Sequence, residues 1–218
     1  MIKQSVKNII LLEDDIIRKT FRKEQDFYTE YYFYKEYKDF AFMPKLLKAE
    51  NHTIYLEYIK GESLYNVQLE KQLLLGKTLA EFHKKSLDFL DQSSLLNQTK
   101  TDIIVTIHSD TSLHNYIFAF DTVYMLDFSD ISIGNPLSDI YSVLLFFCEL
   151  YPIDIFRDFM KRFFEIYFDT LKCPLAHSPE ILQNEIKRFE ERREKNSKCI
   201  NNYHYFLKNT HFMQNYIK

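Results

Sequence analysis

Polar residues surround a short predicted hairpin in the middle of the chain. His108, Asp110 and Asn115 have the spacing H-x-D-x-x-x-x-N, and the apolar run at residues 123–126 leads directly into Asp127. A turn signal separates this run from the apolar segment before it, and together they predict two short antiparallel strands. Acids therefore lie just outside both ends of the hairpin. This arrangement constrains the possible folds more than any other stretch of the chain does.

This pattern of acids and amide suits one kind of chemistry. Phosphoryl transfer to a hydroxyl group uses one carboxylate to orient the attacking oxygen, and an amide and a second carboxylate to hold Mg²⁺ against the triphosphate. The motif resembles the protein-kinase-like superfamily, and within it the aminoglycoside phosphotransferase and choline kinase branch. Protein kinases proper usually show His-Arg-Asp and Asp-Phe-Gly, whereas this chain has His-Ser-Asp and Asp-Phe-Ser.

The resemblance implies roles for the residues of this motif. Asp110 would orient the acceptor hydroxyl and take its proton late, while Asn115 and Asp127 would bind the metal. ATP and Mg²⁺ are the implied cofactors, and the acceptor would be a small molecule with a hydroxyl group. His108 would be a structural member of the loop. Asp130 remains open as a further metal or substrate contact or as an ordinary turn acid.

A lysine near the N-terminus is expected to reach the nucleotide phosphates. Residues 8–12 and 16–21 are two strand-like runs joined by acids, which predicts a hairpin. Side chains alternate between the two faces of a strand. Lys19 therefore shares a face with Ile17 and Phe21, which favours it over Arg18. The competing interpretation of Lys19 is an edge-strand lysine that faces water.

A helix is predicted over residues 23–40, with Pro44 as a stop. The resemblance implies that this helix supplies a glutamate to pair with Lys19. Glu30 is the best placed acid, while Glu24 and Glu36 remain alternatives. A solvated glutamate on a helix face is the competing interpretation, because charges on helices mostly lie at the surface.

Strands are predicted at residues 46–49 and 53–57. The extended segment that follows resembles the hinge between two lobes, where backbone groups of Glu57 and Ile59 would bind the adenine edge. From Glu70 the apolar spacing becomes helical.

His83 is predicted to be a structural, helix-terminal histidine, in a segment that resembles one preceding the catalytic loop. Asp139 is predicted in the first turn of a helix, where it would brace that loop. The charge run at residues 185–198 favours a solvated helix.

Composition excludes several classes of protein. The net charge of −3 gives no electrostatic case for nucleic acid. Cys148, Cys173 and Cys199 are odd in number and lack a C-x-x-C spacing, which argues against a disulfide framework or zinc site. No signal peptide or membrane span is expected, and the cytoplasm is the predicted location.

The predicted fold class is α+β, a bilobal protein-kinase-like fold. Residues 1–59 would form a small antiparallel-sheet N-lobe, and residues 60–218 a mostly helical C-lobe. The acceptor could be an aminoglycoside, a choline-like amino alcohol or a sugar, and the oligomeric state is left open. The sequence has no glycine before Gly61, so a glycine-rich loop over the phosphates is missing. An inactive pseudokinase scaffold is therefore one alternative, and an atypical protein kinase is a second.

Overall fold

The computed structural model describes residues 2–4, 8–89, 103–173, 175 and 178–192. Its backbone contacts divide the chain into two compact units. Unit 1 comprises Met1–Val67 and His114–Ile131, and unit 2 comprises Gln68–Leu113 and Ser132–Lys218. The lobe boundary expected at residues 59 and 60 stays a prediction.

Unit 1 is built on a five-stranded antiparallel sheet with the order β1-β2-β3-β5-β4. Its strands are β1 (Ile2–Gln4), β2 (Asn8–Glu13), β3 (Ile16–Phe21), β4 (Leu46–Glu50) and β5 (Thr53–Glu57). The central strand β3 pairs with β2 on one side and with β5 on the other. A second sheet in this unit contains β6 (Glu62–Ser63), β8 (Tyr116–Ala119) and β9 (Thr122–Met125). Both predicted hairpins are confirmed.

Three hairpin turns in unit 1 have two residues each and a positive φ at both of them. They are Asp14-Asp15, Asn51-His52 and Phe120-Asp121, with φ between 47° and 61°. Turns of this type match the twist of the flanking strands and usually contain glycine. Here Asp and Asn, which tolerate the left-handed region better than other residues, occupy at least one position of each turn. Glycine is therefore not required for these hairpins to form.

The helix α1 (Glu24–Glu36) packs against the sheet of unit 1. It ends four residues earlier than predicted, and the N–H group of Tyr37 closes its last turn on the carbonyl of Phe33. Tyr37 and Phe40 are nevertheless buried in the turn that follows. Their helical spacing reflected burial in this core, so it overestimated the length of the helix.

Unit 2 is mostly helical, which completes the predicted α+β class. Its helices are α2 (Leu69–Gln72), α3 (Leu74–Phe89), α4 (Leu137–Leu150), α5 (Ile153–Leu171) and α6 (Pro179–Arg192). The strands β7 (Val105–Ile107) and β10 (Ser132–Gly134) form an antiparallel pair. Helix α3 packs on α5, and α4 packs on α6.

A break divides the helical region that follows β10. Tyr151 is extended and separates α4 from α5. Pro152 explains this break, because proline disfavours the helical conformation of the residue before it. The charge run is not simply a solvated face, since Glu185 and Phe189 in α6 are buried. Residues 193–198 of that run lie outside the described residues.

No helix in the described ranges combines the length and apolar character needed to cross a membrane. Cys148 is buried and Cys173 is partly buried, and neither forms a disulfide within the described part of the chain. Cys199 lies outside the described residues.

Candidate functional site

Three charged side chains meet inside unit 1. The Nζ atom of Lys19 donates to Oε2 of Glu30 at 2.6 Å and to Oδ1 of Asp127 at 2.7 Å. Lys19 comes from the central strand β3, Glu30 from α1, and Asp127 from the loop after β9. The relative exposure of the side chain is 3% for Lys19, 0% for Glu30 and 36% for Asp127. The structure therefore brings together three residues that the sequence had assigned to one site.

The alternatives to these residues lie elsewhere. The Arg18 side chain is 38% exposed and approaches Glu13 at 3.8 Å, on the opposite face of β3. Glu24 approaches His52 at 3.7 Å on the surface, and Glu36 is exposed. Strand alternation thus identified the inward lysine correctly.

Burial and charge act in opposite directions on the pKa values of this cluster. Burial alone would lower the pKa of Lys19, but the carboxylates of Glu30 and Asp127 outweigh it, and the pKa is raised. Burial raises the pKa of Glu30 to about 7, although Lys19 offsets part of this effect. The negative charge of Glu30 is therefore maintained chiefly by its contact with Lys19.

The cluster forms one wall of a cavity of about 320 Å³ within unit 1. All the residues of unit 1 that the sequence had assigned to the site line this cavity: Lys19, Glu30, Glu57, Ile59, Asn115 and Asp127. Apolar side chains supply much of the remaining lining, among them Ile10, Ile17, Leu56, Ile117 and Leu126. A mostly apolar cavity with a few convergent polar groups is typical of small-molecule and cofactor sites.

The extended segment after β5 contributes backbone groups to this cavity. The N–H group of Glu57 donates to the carbonyl of Lys45 at 3.0 Å, and that of Tyr58 donates to the carbonyl of Asp15 at 3.1 Å. Ile59 is 8% exposed, lies next along the segment and lines the cavity. Within the described part of the chain, the Ile59 N–H group has no acceptor. A buried donor of this kind is suited to a hydrogen bond with a ligand.

Asn115 and Asp127 are joined through the backbone of the second sheet. The N–H group of Leu126 donates to the carbonyl of Asn115 at 2.8 Å, so the two candidate metal ligands are held near each other. Asp127 has a φ of 60°, and its Oδ1 atom also accepts a hydrogen bond from Ser129 Oγ at 2.9 Å. Asp130 lies in the turn that follows, and its charge helps to raise the pKa of Glu30. Its role remains a prediction.

Phe128 anchors this loop, a contact that the sequence analysis did not identify. Its ring stacks on Phe33 at 4.3 Å and meets Tyr34 edge-on at 5.5 Å. Both partners are buried residues of α1, the helix that carries Glu30. The two acids that bind Lys19 are therefore connected by an aromatic contact as well as by charge.

Asp110 belongs to unit 2, in the loop after β7. This loop is held by Asp139, which lies in the first turn of α4 and is fully buried. The N–H groups of His108 and Ser109 donate to the Asp139 carboxylate at 2.7 and 3.0 Å. Asp139 therefore makes the contacts expected of a residue that braces the loop.

His83 supports Asp139 from behind. Its Nε2 atom lies 3.1 Å from Asp139 Oδ2, and its Nδ1 atom lies 2.7 Å from the hydroxyl of Tyr167. Because the carboxylate only accepts, Nε2 carries a proton and donates it to Asp139. Burial would raise the pKa of Asp139, but the hydrogen bond and charge of His83, with the N–H group of His108, lower it overall. His83 makes buried hydrogen bonds as predicted, but it lies in the middle of α3 instead of at its end.

The Glu30 carboxyl makes the free energy of unfolding depend on pH. Its pKa rises from 4.5 to about 7 on folding, so the folded state binds the proton more tightly than the unfolded state does. The contribution of Glu30 to the free energy of unfolding should therefore fall as pH rises from 4.5 to about 7, by at most about 1.4 kcal/mol per pH unit. In urea denaturation across this pH range, the free energy of unfolding should fall less in Glu30→Gln than in the wild type.

Glu36→Gln provides the matched control, because Glu36 is an exposed acid at the end of the same helix. Its pH dependence should follow that of the wild type. Identical curves for Glu30→Gln and Glu36→Gln would contradict the raised pKa of Glu30.

Replacing Asp139 tests the bracing of the Asp110 loop. Asp139→Ala should lower the free energy of unfolding by about 2–5 kcal/mol, since it leaves buried donors without their acceptor. Asp154→Ala is the control: Asp154 is a first-turn acid in α5 and is exposed, so it shares only the interaction with the helix dipole, about 0.3–1 kcal/mol. Equal losses in urea denaturation would show that the buried hydrogen bonds contribute nothing.

No protein-family model matches the sequence, and a search of curated proteins finds no match. Solved structures of small-molecule kinases do match. The amicoumacin kinase hAmiN, in complex with AMP-PNP, Ca²⁺ and Ami, has a TM-score of 0.63 at 12% identity, covering 96% of this chain and 86% of that one. Choline kinase LicA from Streptococcus pneumoniae gives 0.59 at 17% identity, covering 94% of this chain and 90% of that one.

The chain is also similar to a protein whose structure contains a bound antibiotic. The streptomycin–ATP–APH(2″)-IIa ternary complex gives a TM-score of 0.53 at 16% identity, covering 94% of this chain and 82% of that one. Likenesses at such low identity establish the fold and leave the ligands of this chain open. The chain therefore has the protein-kinase-like fold of the small-molecule kinases, as its H-x-D-x-x-x-x-N motif and Asp-Phe pair predicted.

Proposed function

We propose that this protein is an ATP-dependent phosphotransferase that moves the γ-phosphoryl group to a hydroxyl group of a small molecule. The observation that carries the proposal is the buried contact of Lys19 with Glu30 and Asp127, on the wall of a 320 Å³ cavity. Burying the charges of Lys19 and Glu30 beside the partly exposed Asp127 costs desolvation free energy, and clusters of this kind in a cavity are common at functional sites. Phosphate recognition is a use that fits a lysine held in this way.

Unit 1 would bind the nucleotide. Lys19 would contact the α- and β-phosphates, and Glu30 would hold Lys19 in place, as their 2.6 Å contact supports. The N–H group of Ile59 would bind the adenine edge. The backbone carbonyl of Glu57 would be the matching acceptor.

The donor set of the cavity fits magnesium. Mg²⁺ prefers oxygen ligands and keeps several waters, and Asn115 and Asp127 offer side-chain oxygens on one cavity wall. In the described ranges no three His, Cys, Asp or Glu side chains are grouped to hold a metal ion. The nucleotide phosphates would therefore complete the ligand set. When bound, Mg²⁺ supplies charge neutralisation at the phosphate oxygens.

Asp110 would act on the acceptor. The reaction joins the acceptor oxygen to the γ-phosphorus and breaks the bond from that phosphorus to the β,γ-bridging oxygen, which leaves with ADP. The proton of the acceptor hydroxyl passes to the Asp110 carboxylate. Asp139 would position Asp110 through the N–H groups of His108 and Ser109. The loose transition state leaves the protein chiefly positioning and electrostatic work.

Two alternatives compete with this proposal. A pseudokinase scaffold is favoured by the lack of any glycine before Gly61, but Asp110, Asn115 and Asp127 argue against it. An atypical protein kinase would need a long activation segment, and only nine residues separate Ser129 from Asp139. The small-molecule kinase therefore remains the better proposal. A cytoplasmic location agrees with the use of ATP and stays a prediction.

Binding of Mg-AMP-PNP is the first test. Calorimetric titration should detect it in the wild type, and chelation of the metal should abolish it. Asp127→Asn should weaken it at least about tenfold by removing a charged ligand; Asn tolerates the positive φ at this position. Asp121→Asn is the control, since Asp121 lies in the exposed β8–β9 turn with a φ of 56°. Metal-dependent affinity that is equal in the two variants would contradict the role of Asp127.

Asp110 is tested by turnover. Asp110→Ala should reduce the rate of phosphoryl transfer by about 10²–10⁴-fold, because the substrate hydroxyl loses the carboxylate that takes its proton. Its affinity for Mg-AMP-PNP should stay within about twofold of the wild type, since Asp110 is not assigned to the nucleotide. Near-normal turnover of this variant, measured as ADP release with an acceptor, would refute the assignment.

A further inference from the structure

A second cavity lies in unit 2 around Asp110. Its volume is about 150 Å³, and we call it the Asp110 pocket. Asp110, Phe146, Glu185, Arg188, Phe189 and Arg192 are among its lining residues. Drug-sized ligands occupy cavities of roughly 300–1,000 Å³, so this pocket fits a small molecule or one part of a larger one.

Two arginines of α6 face this pocket. Arg188 and Arg192 are four positions apart and therefore share one face of the helix. Arg188 donates one N–H group to Glu185 Oε1 at 2.8 Å and another to the carbonyl of Ser109 at 3.3 Å. Arg192 lies 3.7 Å from Oδ1 of Asp110, which is an ion-pair distance but too long for a hydrogen bond. Two guanidinium groups thus lie beside the residue assigned to the acceptor hydroxyl.

The two carboxylates of the pocket, Asp110 and Glu185, balance the formal charge of the two arginines, but Glu185 offers a ligand little accepting surface. The Glu185 side chain is only 7% exposed and is bound by Arg188. Burial raises the pKa of Glu185 although Arg188 opposes the shift. Asp110 itself is assigned to the proton of the acceptor. Each guanidinium group has five N–H donors. Most of the hydrogen-bonding groups that the pocket can offer a ligand are therefore donors.

We propose that the Asp110 pocket selects an acceptor with an anionic group, a carboxylate or a phosphate, near its reacting hydroxyl. Arg188 and Arg192 bind this group. The inference rests on the proposed function, since it names the substrate class of that reaction. It also narrows the acceptors considered from the sequence, because the N–H donors of both arginines suit an anionic group better than the cationic groups of aminoglycosides and choline-like amino alcohols.

The rest of the pocket suits a compact hydroxylated ligand. The hydroxyl groups of Ser112 and Ser142 line it and are able to bind further oxygens of the acceptor. The rings of Phe146 and Phe189 meet edge-on at 5.1 Å and form an apolar wall. Aromatic rings also attract quaternary ammonium groups, so a cationic ligand is the rival that the experiment must exclude.

Inorganic phosphate and tetramethylammonium are the matched probes. Arginine Nε–H signals of the ¹⁵N-labelled full chain, assigned through Arg188→Gln and Arg192→Gln, should shift on titration with phosphate and not with tetramethylammonium. Because these signals report on the pocket itself, the result does not depend on nucleotide binding. No shift with millimolar phosphate, or an equal shift with tetramethylammonium, would overturn the inference.

Charge removal gives a second readout. Arg192→Gln should weaken phosphate binding at the pocket about tenfold, the usual effect of losing one charge-assisted contact. Lys187→Gln is the control: Lys187 lies on the same helix, is 77% exposed and pairs with Glu191 at 3.9 Å, away from the pocket. If both variants weakened phosphate binding equally, the effect would come from the overall charge of α6. That result would overturn the proposed anion site.

Paired acceptors connect the pocket to catalysis. Turnover should be higher with glycerol 3-phosphate than with glycerol, and higher with glycerate than with choline. Arg192→Gln should raise KM for the two anionic acceptors more than it lowers kcat. Preference for the neutral or cationic member would overturn the inference while leaving the kinase proposal intact. If Mg-AMP-PNP did not bind but phosphate still shifted the arginine Nε–H signals, the kinase proposal would be refuted and the anion site would stand.

Discussion

A buried ammonium group needs negative partners, and in unit 1 this requirement connects residues far apart in the sequence. Lys19 is separated from Glu30 by 11 positions and from Asp127 by 108. Removing either acid would leave charge in a region of low dielectric, which is costly. The sheet, α1 and the β8–β9 hairpin must therefore adopt one arrangement that keeps the three groups in contact. The cavity beside them is a consequence of that arrangement.

Unit 2 meets a similar requirement with hydrogen bonds. Asp139 is buried and satisfied by two backbone N–H groups and by His83, and the Asp110 loop takes its shape from these bonds. In unit 2 a buried carboxylate thus fixes the loop that carries Asp110, whereas in unit 1 the buried Glu30 holds the strand residue Lys19. Loops often carry function when a rigid scaffold positions them, and here the scaffold acts through single acids.

The features predicted best were those encoded by short-range alternation. The alternation of side chains along β3 favoured Lys19 over Arg18 as the inward-facing residue. The hairpins were predicted from apolar runs next to acids. Helix ends were predicted less well, because Tyr37 and Phe40 continue the apolar spacing of α1 into a buried turn. The pocket arginines were missed for a physical reason: Arg188 and Arg192 occur in a charge run, and only the packing of α6 against α4 shows which of its charges face inward.

Phe128 has a mechanical consequence for unit 1. Its ring is fixed between Phe33 and Tyr34 of α1, while its neighbour Asp127 holds Lys19. A shift of α1 along or away from the sheet would displace Glu30 and, through the Phe128 ring, pull on Asp127 at the same moment. The contacts of Lys19 with Glu30 and with Asp127 are therefore mechanically coupled through α1 and the Phe128 ring.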